Sequence, residues 1–197
     1  MPEIAPLRHQ PEVVDFLLSR RSRPAKSLRA PGPDREALRE VLTAAARVPD
    51  HGKLEPWRFI VIEGDALGRL ADLAHRRMSD LGQDGAKAQK ARAMFADAPC
   101  IVAVICAPQH SDKIPDREQL LSAGAACTAL VNMALASGWG ANWLTGAMAT
   151  DSVFLSEGLD LEEGQSVAGF IVLGTEGAVP PERPRPDLDR ITRWIET

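Results

Sequence analysis

The chain has 197 residues, of which 45% are hydrophobic, 25% charged and 5% aromatic, a composition that excludes a disordered or fibrous polymer and predicts one globular domain over residues 1–197. Its formal net charge is −4, and the 23 basic and 27 acidic residues are scattered rather than gathered into blocks. Because nucleic-acid binding and attachment to anionic membranes need a one-sided basic field, we expect neither.

The termini, cysteines and longest uncharged stretch favour a cytoplasmic protein. Met1–Gln10 lacks the apolar run and cleavage site of a secretory signal. Cys100, Cys106 and Cys127 match no zinc spacing and are predicted to be small core residues in a reducing compartment. Residues 119–150 carry no charge, but glycine and asparagine interrupt them, so a buried helix is favoured over a membrane span.

The first predicted elements are two helices and a strand. Apolar spacing predicts a helix over 11–19 with a proline in its first turn, and Pro24 prevents its continuation. After a loop rich in proline and glycine that runs to Gly32, Asp34 caps a second helix with an apolar face from Ala37 to Ala46. The segment 57–62, rich in β-branched and aromatic residues, predicts the first core strand.

The remaining elements mix helices and strands without strict βαβ alternation, which predicts an α+β fold. In chain order they are helices at 65–81 and 85–95, a strand covered on both faces at 100–106, a helix at 117–137, a strand at 139–144, a short polar helix at 152–157 and a strand at 167–173. From Ala178 the composition changes to a tail rich in proline and arginine, which we expect to lie on its own body or on a second subunit.

Familiar catalytic signatures are missing from the sequence. There is no GxGxxG, GxxxxGK[ST], HExxH or GxSxG motif, and the four histidines are too dispersed to predict a metal site. Cys100 and Cys106 lie in an apolar strand, where a thiolate is costly. Hydrolase, phosphotransferase and metalloenzyme functions therefore have little support.

Three positive features remain, and each has a structural alternative. The segment Arg20–Arg23 offers forked donors and a hydroxyl that suit a phosphate, although cations at a helix C-terminus also complement its dipole. The loop 47–57 presents Arg47 and His51 from a backbone stiffened by two prolines, or it is an ordinary connection whose tryptophan anchors the core. The segment 138–146 combines glycines with two tryptophans, which suits either a planar ring or a core strand.

Taken together, these features resemble a known family. The matching stretches are RRS at 20–22, ARVPDHGKLEPW at 46–57, SAG from Ser122, GWGANWLTG at 138–146 and GFIVLGT at 169–175. In this order and spacing, over about 13–175, the chain resembles the FMN-dependent nitroreductase superfamily, most closely its small bacterial branch of minimal NAD(P)H nitroreductases.

The resemblance implies a central antiparallel sheet flanked by helices and an intertwined homodimer, with a C-terminal arm over about 178–197 and an FMN in each of two interface pockets. It implies that the FMN phosphate and ribityl chain contact Arg20, Arg21 and Ser22. By the same resemblance, Arg47 and His51 reach the flavin from the other subunit, and the isoalloxazine ring contacts Trp143, Leu144 and Thr145.

Two further assignments follow from the resemblance. The nicotinamide-nucleotide region corresponds to the helix end formed by Met133, Ala134, Leu135, Ala136, Ser137 and Gly138. The C-terminal arm offers Arg183 or Arg185 as an additional phosphate ligand. No metal ligand is implied.

Two departures from the family pattern concern the flavin's electronics. Many relatives have Gln-Pro-Trp where this chain has Glu55-Pro56-Trp57, and many have Lys or Arg where Pro24 stands. A cation near the flavin pyrimidine stabilises the reduced, anionic ring. Lys26 and Lys53 are the candidates that the sequence offers as replacements.

The implied activity is a ping-pong oxidoreductase. Hydride passes from NADH or NADPH to flavin N5, and a nitroaromatic, quinone or similar conjugated acceptor then takes the electrons. Because the flavin carries the chemistry, no acid, base or nucleophile is obligatory. The alternatives are a non-enzymatic protein that stores FMN and a specialised flavin reductase or dehydrogenase for one metabolite.

Overall fold

The computed structural model describes residue 4 and residues 6–197. Within this part of the chain, a five-stranded antiparallel sheet consists of Leu28–Arg29 (β1), Trp57–Ile62 (β2), Cys100–Cys106 (β3), Gly140–Leu144 (β4) and Ser166–Glu176 (β5). β5 is the central strand, because it pairs with β3 along one edge and with β4 and β1 along the other. β2 completes the sheet beside β3. This arrangement confirms the predicted α+β class.

Helices cover both faces of the sheet. They are Pro11–Ser19 (α1), Arg35–Ala45 (α2), Asp65–Asp80 (α3), Gly85–Ala96 (α4), Asp116–Ala136 (α5) and Leu188–Ile191 (α6). Asp34 and Asp84 begin α2 and α4, since each carboxylate accepts a backbone N–H three residues later, at 2.9 and 2.8 Å. One core cluster packs α3 and α4 against the sheet, and a second packs α2 and α5 against its other face.

β3 is buried along its whole length, as its continuous apolar run predicts. Its side chains alternate between the two clusters, with Ile101 and Ile105 on the α3 and α4 side and Val102 and Val104 on the α5 side. Burial raises the pKa of the Cys100 thiol to about 12. The cysteines are therefore core residues, as the sequence predicts.

Three segments differ from their prediction. β1 lies inside the stretch predicted to be a loop, and it pairs Leu28 with Glu176 because β5 runs three residues beyond its predicted end. The helix predicted to be polar at 152–157 is instead a π-helix, Phe154–Gly158. Its Phe154 is fully buried and packs against the Phe95 ring, so the polar character was wrong.

The uncharged helix α5 packs on the sheet. By length and apolar composition it is the one helix among the described residues that meets the criteria for a membrane span. Its buried side chains, however, join the core cluster that contains α2 and the sheet. Core helices of soluble proteins meet the same criteria, so this is weak evidence for a membrane.

Candidate functional site

The arginine segment that follows α1 is fixed to the edge of β4. The backbone N–H of Arg23 donates to the Ala141 carbonyl at 2.9 Å, and the Asn142 side-chain amide donates to the Arg23 carbonyl at 2.7 Å. Two sequence-predicted FMN segments, 20–22 and 143–145, are therefore neighbours in the fold.

A cavity of about 520 Å³, which we call the arginine pocket, opens between this segment, the end of α5 and the start of the tail. Its charged groups, with their direct ion-pair partners, are Arg20, Arg21, Arg23, Arg185, Glu176 and Glu182. Glu176 pairs with Arg23, and Glu182 lies 3.9 Å from Arg21 and 3.0 Å from Arg185. Four arginines against two glutamates leave a surplus of two positive charges.

Arg20 is the least compensated member of this group. One of its Nη atoms donates to the Ser22 hydroxyl at 2.9 Å, whereas its buried Nε has no hydrogen-bond partner among the described residues. Burial lowers the pKa of the Arg20 guanidinium, and the nearby charges of Arg185, Arg21 and Arg23 lower it further. Because arginine stays protonated in proteins, the pocket favours a bound anion that supplies acceptors.

A second cavity, of about 540 Å³, lies where β4 ends, and we call it the ring pocket. One wall is the segment Trp143–Met148, and the other consists of Met78 on α3 and one face of α4. The α4 face contributes Lys87, Lys90 and two apolar residues. The ring pocket is thus mostly apolar, with cations on one wall.

Trp143 takes its position from a glycine on the neighbouring strand. A Cβ at Gly169 would occupy the space of the Trp143 indole, which therefore lies directly on the β5 backbone. The indole Nε1 donates to the Ala168 carbonyl at 3.2 Å, and 40% of Trp143 stays exposed. The absence of a side chain at Gly169 allows this close approach.

The two pockets together fit a riboflavin phosphate. A phosphate monoester carries close to two negative charges near neutral pH, which matches the surplus in the arginine pocket and offers an acceptor to the unpartnered Arg20 Nε. From Ala141 to Thr145 an extended strand covers about 14 Å, at about 3.4 Å per residue. That span suits a ribityl chain with a planar ring at its far end.

Arg47 and His51 line other cavities of the same chain. Arg47 is exposed and borders a groove with α2 and Met133, and His51 borders a cavity of about 340 Å³ beside α5. The His51 Nδ1 lies 2.8 Å from a carboxylate oxygen of Glu118. Within one chain these two residues do not meet the arginine or ring pocket.

The loop that carries His51 is held by an aspartate which the sequence did not single out. Both carboxylate oxygens of Asp50 accept backbone N–H groups, from Leu54 at 3.1 Å and Glu55 at 2.9 Å. These bonds stabilise a turn in which Lys53 and Glu55 have φ of 55° and 48°, a region that non-glycine residues seldom adopt. An aspartate that begins such an Asx turn is the sequence signal that points to the role of Asp50.

The residues of the predicted nicotinamide segment, 133–138, have different surroundings in the structure. Leu135 lines the arginine pocket, and Met133 lines the groove that contains Arg47. Ala136, Ser137 and Gly138 are exposed at the end of α5. Ala134 is fully buried in the core and presents no surface to a ligand, so its inclusion has no support from its position.

Of the remaining candidates from the sequence, some lie at the two pockets and others do not. Arg185 donates to the Arg20 carbonyl at 3.5 Å, whereas the side chain of Arg183 has no ion pair among the described residues. Lys26 and Lys53 line neither of the two pockets. Lys87 and Lys90 do line the ring pocket, although no motif in the sequence indicates them. In the described part of the chain, no group of three His, Cys, Asp or Glu residues could hold a metal.

Comparisons with known proteins identify the family of the chain. The sequence model of the Nitroreductase family matches residues 17–175, so the chain belongs to that family. It is 35% identical over 164 residues to the Escherichia coli (strain K12) protein named "Putative NAD(P)H nitroreductase YdjA", covering 83% of this chain and 88% of that one.

Solved structures share the fold. The nitroreductase-like family protein from Bacillus cereus superposes with a TM-score of 0.77 at 18% identity, over 99% of this chain and 100% of that one. The Desulfovibrio desulfuricans "putative nitroreductase in complex with fmn" gives a TM-score of 0.72 at 21% identity, over 96% and 99% of the two chains.

Proposed function

We propose that this protein is an FMN-dependent oxidoreductase of the nitroreductase type that takes hydride from NADH or NADPH and reduces a conjugated acceptor. The observation that carries the proposal is the arginine pocket, with two uncompensated positive charges and a buried Nε that has no partner among the described residues, at the start of the strand β4 whose other end borders the ring pocket. Family membership and the relative's name support the same activity.

In this proposal each part of the site has a physical task. Arg20, Arg21 and Ser22 hold the phosphate and ribityl chain through charge-assisted hydrogen bonds. Trp143, Leu144 and Thr145 orient the isoalloxazine ring along the end of β4. When bound, FMN supplies the hydride-accepting and hydride-donating chemistry, so the chain contributes orientation and electrostatics rather than a nucleophile.

A homodimer completes the site in this proposal. Arg47 and His51 line cavities of their own, away from the two pockets, which is the arrangement expected if they serve the pocket of a partner subunit. The exposed segment Ala136–Gly138 remains the candidate for nicotinamide-nucleotide contacts. We further propose a nitroaromatic or quinone acceptor and a cytoplasmic location.

Cofactor content is the first test. We expect the purified protein to show a flavin absorption band and to release FMN on denaturation, and anaerobic NADH or NADPH to bleach the band. A protein that holds FMN but stays yellow with both donors would favour the storage function instead. A protein that shows no flavin band after incubation with FMN would contradict the proposal.

Arg20→Ala tests the arginine pocket directly. It removes a charged hydrogen-bond donor of the phosphate, an interaction worth about 1.5–3 kcal/mol, so the FMN dissociation constant should rise about 10- to 150-fold. The control is Arg76→Ala, which removes an exposed arginine from α3 without touching either pocket. Equal FMN affinity in the two variants, measured by fluorescence titration, would exclude Arg20 from the phosphate site.

A further inference from the structure

One charged face of α4 lines the ring pocket and takes no part in holding the phosphate or in the Trp143–Thr145 wall. Lys87, Lys90, Ala91 and Met94 have the spacing i, i+3, i+4 and i+7, which places them on one face of the helix, and all four line the ring pocket. No acidic residue lines this pocket in the described part of the chain. The α4 side of the ring pocket therefore carries positive charge, and the rest of its lining is mostly apolar.

Of the two lysines, Lys90 is the less engaged. The Nζ of Lys87 donates to the side-chain oxygen of Gln83, just before the start of α4, at 3.1 Å. Lys90 has neither a hydrogen-bond nor a carboxylate partner among the described residues. An ammonium on a four-carbon stem reaches several ångströms into such a pocket while its methylenes lie on apolar neighbours.

We propose that Lys90, assisted by Lys87, is the cation that faces the pyrimidine edge of the flavin and stabilises its reduced, anionic ring. This inference rests on the proposed function, because it needs an isoalloxazine ring in the ring pocket. Many relatives have Lys or Arg where this chain has Pro24, so the cation of those relatives is missing here. The sequence candidates Lys26 and Lys53 lie outside the ring pocket. The lysines of α4 line the same cavity as Trp143–Met148, so a ring held by that segment would share the cavity with the two ammonium groups.

The physical effect is selective for the reduced state. A positive charge near the ring barely changes the binding of FMN while the oxidised ring is neutral, but it attracts the negative charge that the ring gains with the electrons. Loss of the Lys90 charge should therefore weaken the binding of reduced FMN about five- to tenfold relative to oxidised FMN. For a two-electron couple, a tenfold change lowers the midpoint potential by about 30 mV.

Lys90→Met is the test variant, because methionine keeps helix propensity and side-chain length while it removes the charge. The midpoint potential of bound FMN should fall, and it should return to the wild-type value in Lys90→Arg. Lys90→Glu should lower it further. Lys26→Met, which removes an exposed cation outside both pockets, should leave the potential unchanged.

Sulfite provides a second readout that needs no turnover. Its sulfur lone pair forms a bond to flavin N5, and the electron pair leaves negative charge on the pyrimidine edge, so the adduct responds to the same cation. We expect the sulfite dissociation constant to rise about five- to tenfold in Lys90→Met, with a larger rise when Lys87→Met is added.

The results separate this proposal from the proposed function. If Lys90→Met and the double variant bind FMN with wild-type potential and sulfite affinity, the lysine assignment is wrong while the flavoprotein assignment stands. If the wild type binds no FMN, both proposals fail. A lower potential that Lys90→Arg does not restore would indicate a packing effect and would also overturn the assignment.

Discussion

Asp151, three residues after Met148 of the ring pocket, forms an ion pair with Arg77 of α3. Its carboxylate accepts two hydrogen bonds from Arg77, at 3.0 and 3.2 Å, and one from the backbone N–H of Phe154 at 2.7 Å. The Asp151 side chain is only 8% exposed. The Arg77 bond lowers the pKa of Asp151, which means that the ionised carboxylate stabilises the folded state. This pair fixes the end of the loop that contains Met148.

Asp151→Asn is expected to lower the free energy of unfolding by about 2 kcal/mol at pH 7, because Arg77 loses a nearly buried charged acceptor. Asp80→Asn is the matched control, since Asp80 pairs with the same Arg77 but is 63% exposed, and it should cost less than about 0.5 kcal/mol. Urea denaturation provides the measurement.

The same pair predicts a pH dependence. A carboxyl whose folded pKa is lowered adds stability above its unfolded pKa of about 3.9, and this stability is lost as pH falls through the folded value. The difference between wild type and Asp151→Asn should therefore shrink between pH 6 and pH 3. A difference that stays constant over this range would mean that the charge of Asp151 does not contribute.

At the residue scale, the sequence predicts side chains whose chemistry is visible in a short motif. The run Arg20–Ser22 is recognisable because three donors are adjacent in the chain, and the next residue, Arg23, is hydrogen-bonded to Ala141 and Asn142 of β4. The sequence does not indicate Lys87 and Lys90, because their pocket forms only when α4 packs opposite β4. These two elements are 44 or more residues apart in the chain. A helix with several charged side chains, such as Lys87, Lys90 and Arg92 of α4, is usually a solvated surface, so the sequence favours that interpretation.

The pairing of β4 with β5 positions the ring-binding wall as a unit. Trp143 lies opposite Ile171, and its indole extends over Gly169, two residues away on the same face. Gly169→Ala should push the indole off the sheet, lower the free energy of unfolding by about 1–3 kcal/mol and weaken FMN binding. Thermal unfolding and FMN titration test both effects.

The matched control for this prediction is the same substitution in a chain that lacks the indole. In a Trp143→Ala background, Gly169→Ala should cost much less, because the atoms that it would contact are gone. Equal costs in the two backgrounds would show that the strain arises from the β5 backbone and not from Trp143.

At the element scale, the long strands and helices follow from their apolar periods, and the errors occur where no period exists. β1 has two residues, too few for alternation, and it becomes a strand only because β5 extends to pair with it. The segment 152–157 has as many polar residues as apolar ones, yet Phe154 points into the core against Phe95. Tertiary packing decides both cases.

The whole molecule leaves a large apolar surface uncovered. α1 has no buried residue, and Val13, Leu17 and Leu18 on it are 52–74% exposed. In the tail, Trp194 and Ile195 are 81% and 77% exposed. Single exposed apolar residues are ordinary, but a helix and an arm with several of them mark an interaction surface. The surface suits the homodimer that would bring Arg47 and His51 to a partner's flavin.

Deleting residues 188–197 tests this assembly without removing the arginine pocket, because Arg185 and Glu182 remain. The wild-type chain should sediment as a dimer, and the truncated chain should dissociate at least tenfold more readily, since the deletion removes four exposed apolar side chains of the arm: Leu188, Ile191, Trp194 and Ile195. Leu18→Glu on α1 should act in the same direction. Leu81→Glu, at another exposed leucine, which lies at the end of α3, is the control and should stay dimeric.

FMN retention in these variants decides whether the two copies share the site. If each pocket needs Arg47 and His51 from a partner, the monomeric variants should lose FMN in parallel with dissociation, and high protein concentration should restore both together. A monomer that holds FMN as tightly as the wild type would mean that one chain forms the complete pocket, and it would leave Arg47 and His51 with the solvent-exposed surroundings they have in the single chain.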